Sequence, residues 1–396
     1  MILAGTATRA MGAVTVVPVE DAGAERAFRE LPYRLYRGDA FWAPPLRFEE
    51  SRRWSKRHHA SLRYRWSRRF LALRDGRAVG RVAAVIDDEF ARRWRSGTGF
   101  FGFFECECDR TVAGPLLDAA EGALRERGME HVIGPVNLTT HDETGIQVGG
   151  FGSPPMLLSP YNPAYYAELL ESCGYEAHRE YLSYLWTPDY RIGPAVRRLV
   201  ASARAARGIA AGITVRPLDP ARWDSEIRTF FTLYNESFDA VWGSVPIHWD
   251  EFLERAGRFR PFLLPKLALF AEHEGRAIGC ALTLPDVNEV LRRVGGRLLP
   301  FGWLELARGA SWIRSARVMI LGVRPGFTGR GAAALLAYET GEALRELGFE
   351  RAELSLVQGA NERMRRVIEA FACPELKTFR LYGRRIEPRG GDRGDR

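Results

Sequence analysis

The apolar positions between residues 318 and 348 predict a strand, a glycine turn and a helix, in that order. Residues 318–323 are apolar on both faces, as in a strand buried in the middle of a sheet. Pro325 ends this run, and residues 326–331 contain three glycines. From Ala332 onward the apolar residues recur at helical spacing until a glycine ends the pattern.

A turn of this kind can bind a diphosphate. Its backbone N–H groups point toward one spot, and the positive end of the following helix dipole adds to the attraction. Glycine permits a positive φ and a close approach of the ligand. The turn is not a P-loop, because no Gly-Lys-Ser/Thr follows, and it lacks the glycine spacing of a dinucleotide-binding fingerprint.

The turn resembles motif A of the GNAT superfamily of acyl-CoA-dependent N-acyltransferases, whose pattern is Arg/Gln-x-x-Gly-x-Gly/Ala. Thr328, Gly331 and Ala333 fall on the three defined positions, and Thr328 departs from the expected Arg or Gln. In this superfamily the strand before the turn supplies the oxyanion donor, and the turn binds the coenzyme. The resemblance therefore implies an acyl-CoA site made of Leu321, Val323, Thr328, Gly329, Arg330, Gly331, Ala332, Ala333 and Asn361.

Repeated stretches indicate an internal duplication. The strand that starts at Val14 returns at Ile213, and the hairpin turn that starts at Asp75 returns at Glu274. Two copies of one αβ unit follow from these repeats. Because the order of elements in each copy resembles the GNAT order, we expect a tandem duplication of that α/β fold, with a mixed sheet flanked by helices.

The expected domain limits are 13–190 for the first copy, 191–212 for a linker helix and 213–387 for the second copy. The copies differ at the glycine turn. In the first copy, residues 105–115 contain three carboxylates and one glycine. Such a loop should repel a pyrophosphate. We therefore expect CoA in the second copy alone, and a scaffolding or acceptor-binding role for the first.

Proton transfer needs an acid and a base. The superfamily's usual acid is a tyrosine, and the position where it is expected, counted from Asn361, holds Ile368. For the base, carboxylates at predicted strand ends are the candidates, namely Asp286 and Glu289 in the second copy and Glu143 in the first. Carboxylates at such positions also serve as helix caps or turn residues.

Four further residues are predicted to contact the acceptor, namely Trp242, Asn288, His141 and Tyr165. Trp242 lies in the segment that covers the acceptor side in the superfamily, where Val241 and Ser244 depart from the family pattern Asn-Trp-Gly-Phe. His141 follows a predicted strand within a polar loop. It is either a base or a hydrogen-bonded loop histidine.

The stretches around these residues are similar to those of a bacterial family of tandem GNAT proteins that includes ceramide synthases, which acylate the amine of a sphingoid base. A second indication of lipid chemistry is the segment 291–317, where apolar and aromatic residues are interleaved with six arginines. Such a segment lies at a membrane interface, lines an entry for a lipid chain, or packs on its own domain.

Composition bears on the compartment. The 396 residues are 46% hydrophobic and 27% charged, which is ordinary for a globular chain of two domains. The apolar runs are too short for a membrane span, so we expect a cytoplasmic protein, with peripheral contact at the inner face of the membrane as an option. The five cysteines lack zinc-ligand spacing, and we expect reduced thiols and no metal.

Positive charge is concentrated between Ser51 and Arg74, where nine residues are Lys or Arg and none is acidic. This basic segment suits anionic lipid headgroups, coenzyme phosphates or nucleic acid, or is a solvated loop. Nucleic acid is the least favoured partner, because no recognition motif accompanies the charge.

These features together predict an acyl-CoA-dependent N-acyltransferase that acylates a primary amine, with a long-chain, sphingoid-like lipid amine favoured. The donor is acetyl-CoA or a long-chain acyl-CoA. Transfer is expected to be direct, since no cysteine or serine lies in a nucleophile motif. Two alternatives stay open: an acetyltransferase that acts on a small polar amine or a protein, and a non-catalytic acyl-CoA-binding module.

Overall fold

One mixed sheet runs through the protein. The structure is a computed structural model that describes residues 12–205, 208–297, 302, 304 and 312–387. The strands are β1 (Val14–Pro18), β2 (Arg65–Arg74), β3 (Arg77–Asp87), β4 (Thr98–Cys106), β5 (His131–Gly134), β6 (Ile146–Gly149), β7 (Glu176–Trp186), β8 (Ile213–Pro217), β9 (Ala268–His273), β10 (Arg276–Pro285), β11 (Ser315–Val323), β12 (Arg351–Gln358) and β13 (Glu375–Arg385).

Helices cover both faces of this sheet. They are α1 (Ala22–Leu35), α2 (Arg47–Arg52), α3 (Asp88–Arg93), α4 (Arg110–Arg125), α5 (Tyr166–Ser172), α6 (Pro194–Arg204), α7 (Trp223–Phe238), α8 (Trp249–Phe259), α9 (Asn288–Val294), α10 (Ala332–Glu346) and α11 (Glu362–Glu369). In the described ranges, no helix is both long enough and apolar enough to cross a membrane.

The two halves of the chain exchange their last strands. The sheet order is β1-β2-β3-β4-β5-β13-β7-β12-β11-β10-β9-β8, with β6 also paired to β13. Strand β7 ends the first half, yet it pairs with β12 and β13 of the second half. Strand β13 is the last described strand, and it pairs with β5, β6 and β7 of the first half. The halves therefore share a sheet, and the limits 13–190 and 213–387 remain a prediction from the repeats.

Strands β11 and β12 separate partway along their length. They pair in parallel from Ser315–Arg351 to Val318–Leu354, although β11 continues to Val323. A gap in the sheet opens where this pairing stops. In the first half, β4 and β5 stay joined beyond their ladder, because the N–H of Val136 donates to the carbonyl of Phe101 at 2.8 Å.

The second half has a core on each face of the sheet. Neighbouring residues of β9 belong to different cores, since side chains alternate along a strand. Phe270 packs in the core that includes Phe230 of α7, and Ala271 packs in the core that includes Leu336 of α10. Helices α7 and α10 therefore lie on opposite faces, on either side of the gap.

Arginines of the basic segment 51–74 form ion pairs with carboxylates of the chain itself. Arg65 forms ion pairs with Asp87 at 2.7 Å and with Glu251 of α8 at 2.6 Å. Arg63 pairs with Asp250, also of α8, at 2.9 Å. Because α8 belongs to the second half, these contacts join the two halves. The interpretation of residues 51–74 as a solvated loop is therefore wrong for its C-terminal part.

Candidate active site

A cavity of about 370 Å³ lies at the gap between β11 and β12. Its wall includes Leu321 of β11 and Val357 of β12, together with Phe230 of α7 and Leu344 of α10. Since α7 and α10 cover opposite faces of the sheet, the cavity passes through the sheet at the gap. Most of the wall is apolar or aromatic, as is typical of small-molecule binding sites.

A β-bulge on β11 borders this cavity. Leu282 of β10 pairs with Ile320, whereas the next residue, Thr283, pairs with Val318. Met319 is therefore the extra residue, and it lines the cavity with its two neighbours. A bulge disrupts the regular ladder and changes the direction of local backbone groups. The donor for an oxyanion was predicted on this strand, around Leu321 and Val323.

The glycine turn follows β11, beyond the end where its pairing with β12 has stopped. Gly329 and Gly331 have positive φ values of 82° and 88°, and a Cβ on Gly329 would meet nothing within 4 Å. Gly331 is the N-cap of α10 and provides no side-chain cap. The first N–H groups of a helix have no acceptor within it. Backbone N–H groups without an acceptor in the helix are therefore present at the start of α10, where the sequence predicts the diphosphate.

The corresponding turn of the first half is built differently. Asp109 caps α4, because its carboxylate accepts a hydrogen bond from the N–H of Thr111 at 2.8 Å. Glu105 is largely buried and accepts hydrogen bonds from the phenols of Tyr36 and Tyr166, both at 2.8 Å. Glu105 is thus not part of an exposed anionic loop. The N-terminus of α4 is already capped by the side chain of Asp109.

Two side-chain pairs from different halves meet at the wall of the cavity. His141 and Asp142 lie in the loop after β5, and Tyr234 and Arg255 lie on α7 and α8. The Nδ1 of His141 is 2.9 Å from the phenolic oxygen of Tyr234. A guanidinium nitrogen of Arg255 is 2.7 Å from Oδ1 of Asp142. The first half therefore contributes polar groups to a cavity that lies at the gap between two strands of the second half.

Burial controls the ionisation of this cluster. Burial, with Arg255 and Arg65 acting in the same direction, lowers the pKa of His141 to about 3. Burial raises the pKa of Tyr234 to about 12. For Asp142, burial acts to raise the pKa, but Arg255 lowers it below its usual value. At neutral pH the histidine and the tyrosine are neutral, and the Asp142–Arg255 pair is ionised.

The three carboxylates predicted as catalytic are bound to their own surroundings. Asp286 accepts hydrogen bonds from the N–H groups of Leu157 and Asn288, at 2.8 and 3.2 Å. Glu289 accepts from the N–H of Ser315 at 2.9 Å. Glu143 accepts from the side-chain amide of Asn137 at 2.7 Å. All three lie outside the cavity wall, so their catalytic role stays a prediction and their contacts are those of turn residues.

Seven of the predicted coenzyme residues lie outside the cavity wall, on β11, in the glycine turn and at the start of α10, namely Val323, Thr328, Gly329, Arg330, Gly331, Ala332 and Ala333. The remaining predicted residues divide into two groups. Leu321, Trp242, His141 and Asn361 line the cavity. Asn288 and Tyr165 lie outside its wall. The side chain of Asn288 donates to the carbonyl of Pro155, and that of Tyr165 donates to the carbonyl of Cys106. Asn361 also caps α11.

Sequence reasoning missed Tyr234 and Arg255. Tyr234 belongs to an apolar helix face that reads as ordinary core, and Arg255 lies on an amphipathic helix. The segment 291–317 is only partly described, because residues 298–301, 303 and 305–311 lie outside the described ranges.

Asp286 gives a prediction about stability and pH. Burial is the main cause that raises its pKa from 3.8 to about 6, with a smaller contribution from Glu289. A carboxyl with a raised pKa stabilises the fold when protonated, and that contribution is lost as the pH rises from about 4 to about 6. Relative to the unaltered protein, Asp286→Asn should gain about 2–3 kcal/mol of stability between pH 4 and pH 7. Urea titrations at both pH values measure this, and a constant difference would contradict it.

No family model matches the sequence. The bacterial ceramide synthase of Caulobacter vibrioides is 32% identical over 376 residues, which are 93% of this chain and 97% of that protein.

Two solved structures share the fold. A GCN5-related N-acetyltransferase from Sphaerobacter thermophilus has a TM-score of 0.52 at 15% identity, over 95% of this chain and 96% of its own. A tandem GNAT protein from the clavulanic acid biosynthesis pathway has a TM-score of 0.55 at 13% identity, over 95% and 99%. The predicted fold class is confirmed by these likenesses.

Proposed function

The chain belongs to the family of the bacterial ceramide synthase, and on this basis we propose that it transfers an acyl group from a CoA thioester to the primary amine of a long-chain lipid. The observation that carries the proposal is the apolar cavity that passes through the sheet and is lined by the strand that precedes the glycine turn and by the helix that follows it. A donor bound at the turn can place its thioester at the bulge and its hydrocarbon chain in the cavity.

The apolar wall supports a long chain over an acetyl group. Aromatic side chains of α7 and α8, such as Phe230 and Phe252, form one side of the cavity, and Ile368 and Val367 of α11 form part of another. Burying apolar surface contributes roughly 25 cal/mol per Å² removed from water. A hydrocarbon chain gains from such a wall, whereas a small polar amine would leave it largely unused.

Polar groups in the wall support an amine acceptor. Asp142 is the ionised carboxylate of the cavity cluster, and its Oδ2 makes no hydrogen bond to any described residue. An ammonium group entering the cavity is attracted by such a carboxylate. Attack on the thioester carbonyl then requires that the nitrogen be neutral and that the oxyanion receive a hydrogen bond.

The glycine turn gives a prediction about coenzyme binding. Thr328 is exposed at the turn, so Thr328→Glu adds a negative charge beside the predicted diphosphate without disturbing the core. The affinity for CoA should fall by roughly tenfold, because like charges near a protein surface repel by about 1–4 kcal/mol at close range. Calorimetric titration with CoA measures the change.

Thr15→Glu is the matched control, since Thr15 is also an exposed threonine and lies on the edge strand β1. Equal affinities of the two variants would contradict the assignment of the turn. Gly331 is less suitable for this test, because a Cβ there would lie 2.7 Å from the side chain of Leu199 on α6.

The proposed function is tested by thiol release. The purified chain is mixed with palmitoyl-CoA and, in separate reactions, with sphinganine, with a small polar amine and with no acceptor. We expect release of CoA and formation of an amide with sphinganine. Release with the small amine alone would favour the alternative that acts on a small polar amine, and coenzyme binding without release would favour the binding module.

A further inference from the structure

We infer that His141 and Tyr234 form a proton relay that serves the transfer reaction from across the two halves of the chain. The inference rests on the proposed function and concerns the same cavity. It assigns to the first half a direct part in the chemistry, because His141 belongs to the loop after β5 and Tyr234 belongs to α7 of the second half.

The leaving thiolate needs a proton donor, and this donor must come from an element other than α11. The position where the resemblance places a tyrosine holds Ile368, a buried aliphatic residue of the cavity wall. Among the described residues, the phenols of the wall are those of Tyr181 and Tyr234. Of these two, Tyr234 is hydrogen-bonded to the imidazole of His141, which can both accept and donate a proton.

The hydrogen bonding of His141 suits a relay. Its Nδ1 is 2.9 Å from the phenolic oxygen of Tyr234. Its Nε2 is buried and has no partner at hydrogen-bond distance in the described part of the chain, and the Val245 carbonyl acts on the ring only as a weaker polar contact. When Nδ1 carries the hydrogen and donates it to Tyr234, Nε2 keeps a lone pair that can accept a proton. The phenolic hydrogen of Tyr234 is then free to be donated to another group.

In this relay, one proton moves from the attacking amine to the leaving sulfur through His141 and Tyr234. The amine nitrogen forms a bond to the thioester carbonyl carbon, and the nitrogen becomes positively charged. It gives a proton to Nε2 of His141, Nδ1 gives its hydrogen to the phenolic oxygen of Tyr234, and Tyr234 gives its own hydrogen to the sulfur as the carbon–sulfur bond breaks. The attack also leaves a negative charge on the carbonyl oxygen, and this oxyanion re-forms the carbonyl as the carbon–sulfur bond breaks. The products are the amide and the CoA thiol, the phenol is restored, and the imidazole ends neutral with its hydrogen on Nε2, so the hydrogen returns to Nδ1 before the next turnover.

The surroundings keep both groups neutral. Burial, with the charges of Arg255 and Arg65, disfavours the imidazolium and lowers the pKa of His141, against the opposing effects of Asp142 and the Val245 carbonyl. Burial also keeps Tyr234 protonated by raising its pKa, with Asp142 acting in the same direction and Arg255 in the opposite one. A relay between neutral groups avoids creating a lasting charge in an apolar cavity.

Neighbouring contacts hold the pair in place. Arg255 donates to the carbonyl of His141 at 3.5 Å and pairs with Asp142, which fixes the loop against α8. The ring of Tyr234 packs against Phe238 and Phe252, with centroids 5.1 and 6.3 Å apart. Arg255 is therefore a positioning residue in this account.

The experiment compares Tyr234→Phe, His141→Gln and the double variant in the full chain, with palmitoyl-CoA and sphinganine as substrates. Each single change should lower kcat by about 10²–10⁴-fold, the usual range for general acid–base catalysis. The KM for palmitoyl-CoA and the affinity for free CoA should stay close to those of the unaltered protein. The double variant should be no slower than the slower single variant, because the two residues act as a unit.

Two matched controls lie away from the cavity wall. Tyr161→Phe removes a phenol that is bonded to Asp39, and His131→Gln removes an imidazole that contacts Arg95. Both controls should keep the kcat of the unaltered protein. Thermal midpoints of all variants show whether a loss of rate comes from unfolding.

Several results would overturn the relay. One is a kcat for Tyr234→Phe and His141→Gln equal to that of the controls, with the unaltered protein active. Another is a double variant whose loss is the product of the two single losses. A large loss in Tyr181→Phe with none in Tyr234→Phe would transfer the acid role to Tyr181. An unaltered protein that acylates no amine would overturn the proposed function and the relay together.

Discussion

Replacing Arg65 with methionine is expected to lower the free energy of unfolding by about 3–5 kcal/mol, the cost of removing one partner from a buried ion pair. The side chain of Arg65 is 1% exposed, and those of its partners Asp87 and Glu251 are 2% and 0% exposed. Methionine fills a similar volume but leaves both carboxylates without their cation. Urea titration of the full chain measures the change.

Arg63→Met is the matched control for Arg65→Met. Arg63 comes from the same basic segment and pairs with Asp250 of α8, but these two side chains are 45% and 36% exposed. Exposed ion pairs contribute only about 0–1 kcal/mol. Equal losses of unfolding free energy in the two variants would contradict the view that the buried pair of Arg65 and Glu251 stabilises the contact between the first half and α8.

The second large effect is expected from Ala337→Phe. Ala337 lies on α10 and lines the cavity, so a phenyl ring there occupies space assigned to the hydrocarbon chain. Transfer from palmitoyl-CoA should fall by at least about tenfold, since a change of even one methylene in an apolar pocket alters kcat/KM by about 10–200-fold. Transfer from acetyl-CoA should be unaffected, and the ratio of the two rates is the measurement.

Ala343→Phe is the control for Ala337→Phe. It places the same ring on α10, against the same core but outside the cavity wall. A loss confined to long-chain donors in Ala337→Phe, and absent in Ala343→Phe, is the expected outcome. Equal loss with acetyl-CoA and palmitoyl-CoA would show that the cavity does not hold the acyl chain.

The local elements around the glycine turn could be predicted from the sequence. The predicted strand, turn and helix correspond to β11, to a turn with two glycines at positive φ, and to α10. A helix, α6, lies within residues 191–212, where the sequence predicts a linker helix. Apolar periodicity, proline and glycine act locally, so their effects can be read from neighbouring residues. The family resemblance and the fold class are also confirmed.

The exchange of β7 and β13 could not be predicted in the same way. The repeats show that one unit occurs twice, but they do not show with which copy the last strand of each unit pairs. That choice depends on contacts far apart in sequence, such as Leu182 with Thr378. The meeting of His141 with Tyr234 has the same origin, since residues of different halves create it.

The carboxylates Asp286, Glu289 and Glu143 show a further limit. A carboxylate at the end of a strand looks the same in the sequence whether it binds a substrate or a backbone N–H group. The structure provides each of them with hydrogen-bond donors from the chain itself. Asp142 is the carboxylate that does lie in the cavity wall. It lies between His141 and Glu143, the two residues of the same loop that the sequence predicts as part of the site.

Competition between two acceptors tests the central claim most directly. The purified chain is given palmitoyl-CoA with equal concentrations of sphinganine and a small polar amine, and the amides are quantified by mass spectrometry. We expect the sphinganine amide to be the main product, with its formation lowered by at least about tenfold in Ala337→Phe. A product dominated by the small amine, or no amide with either acceptor, would contradict acyl transfer to a lipid amine at this cavity.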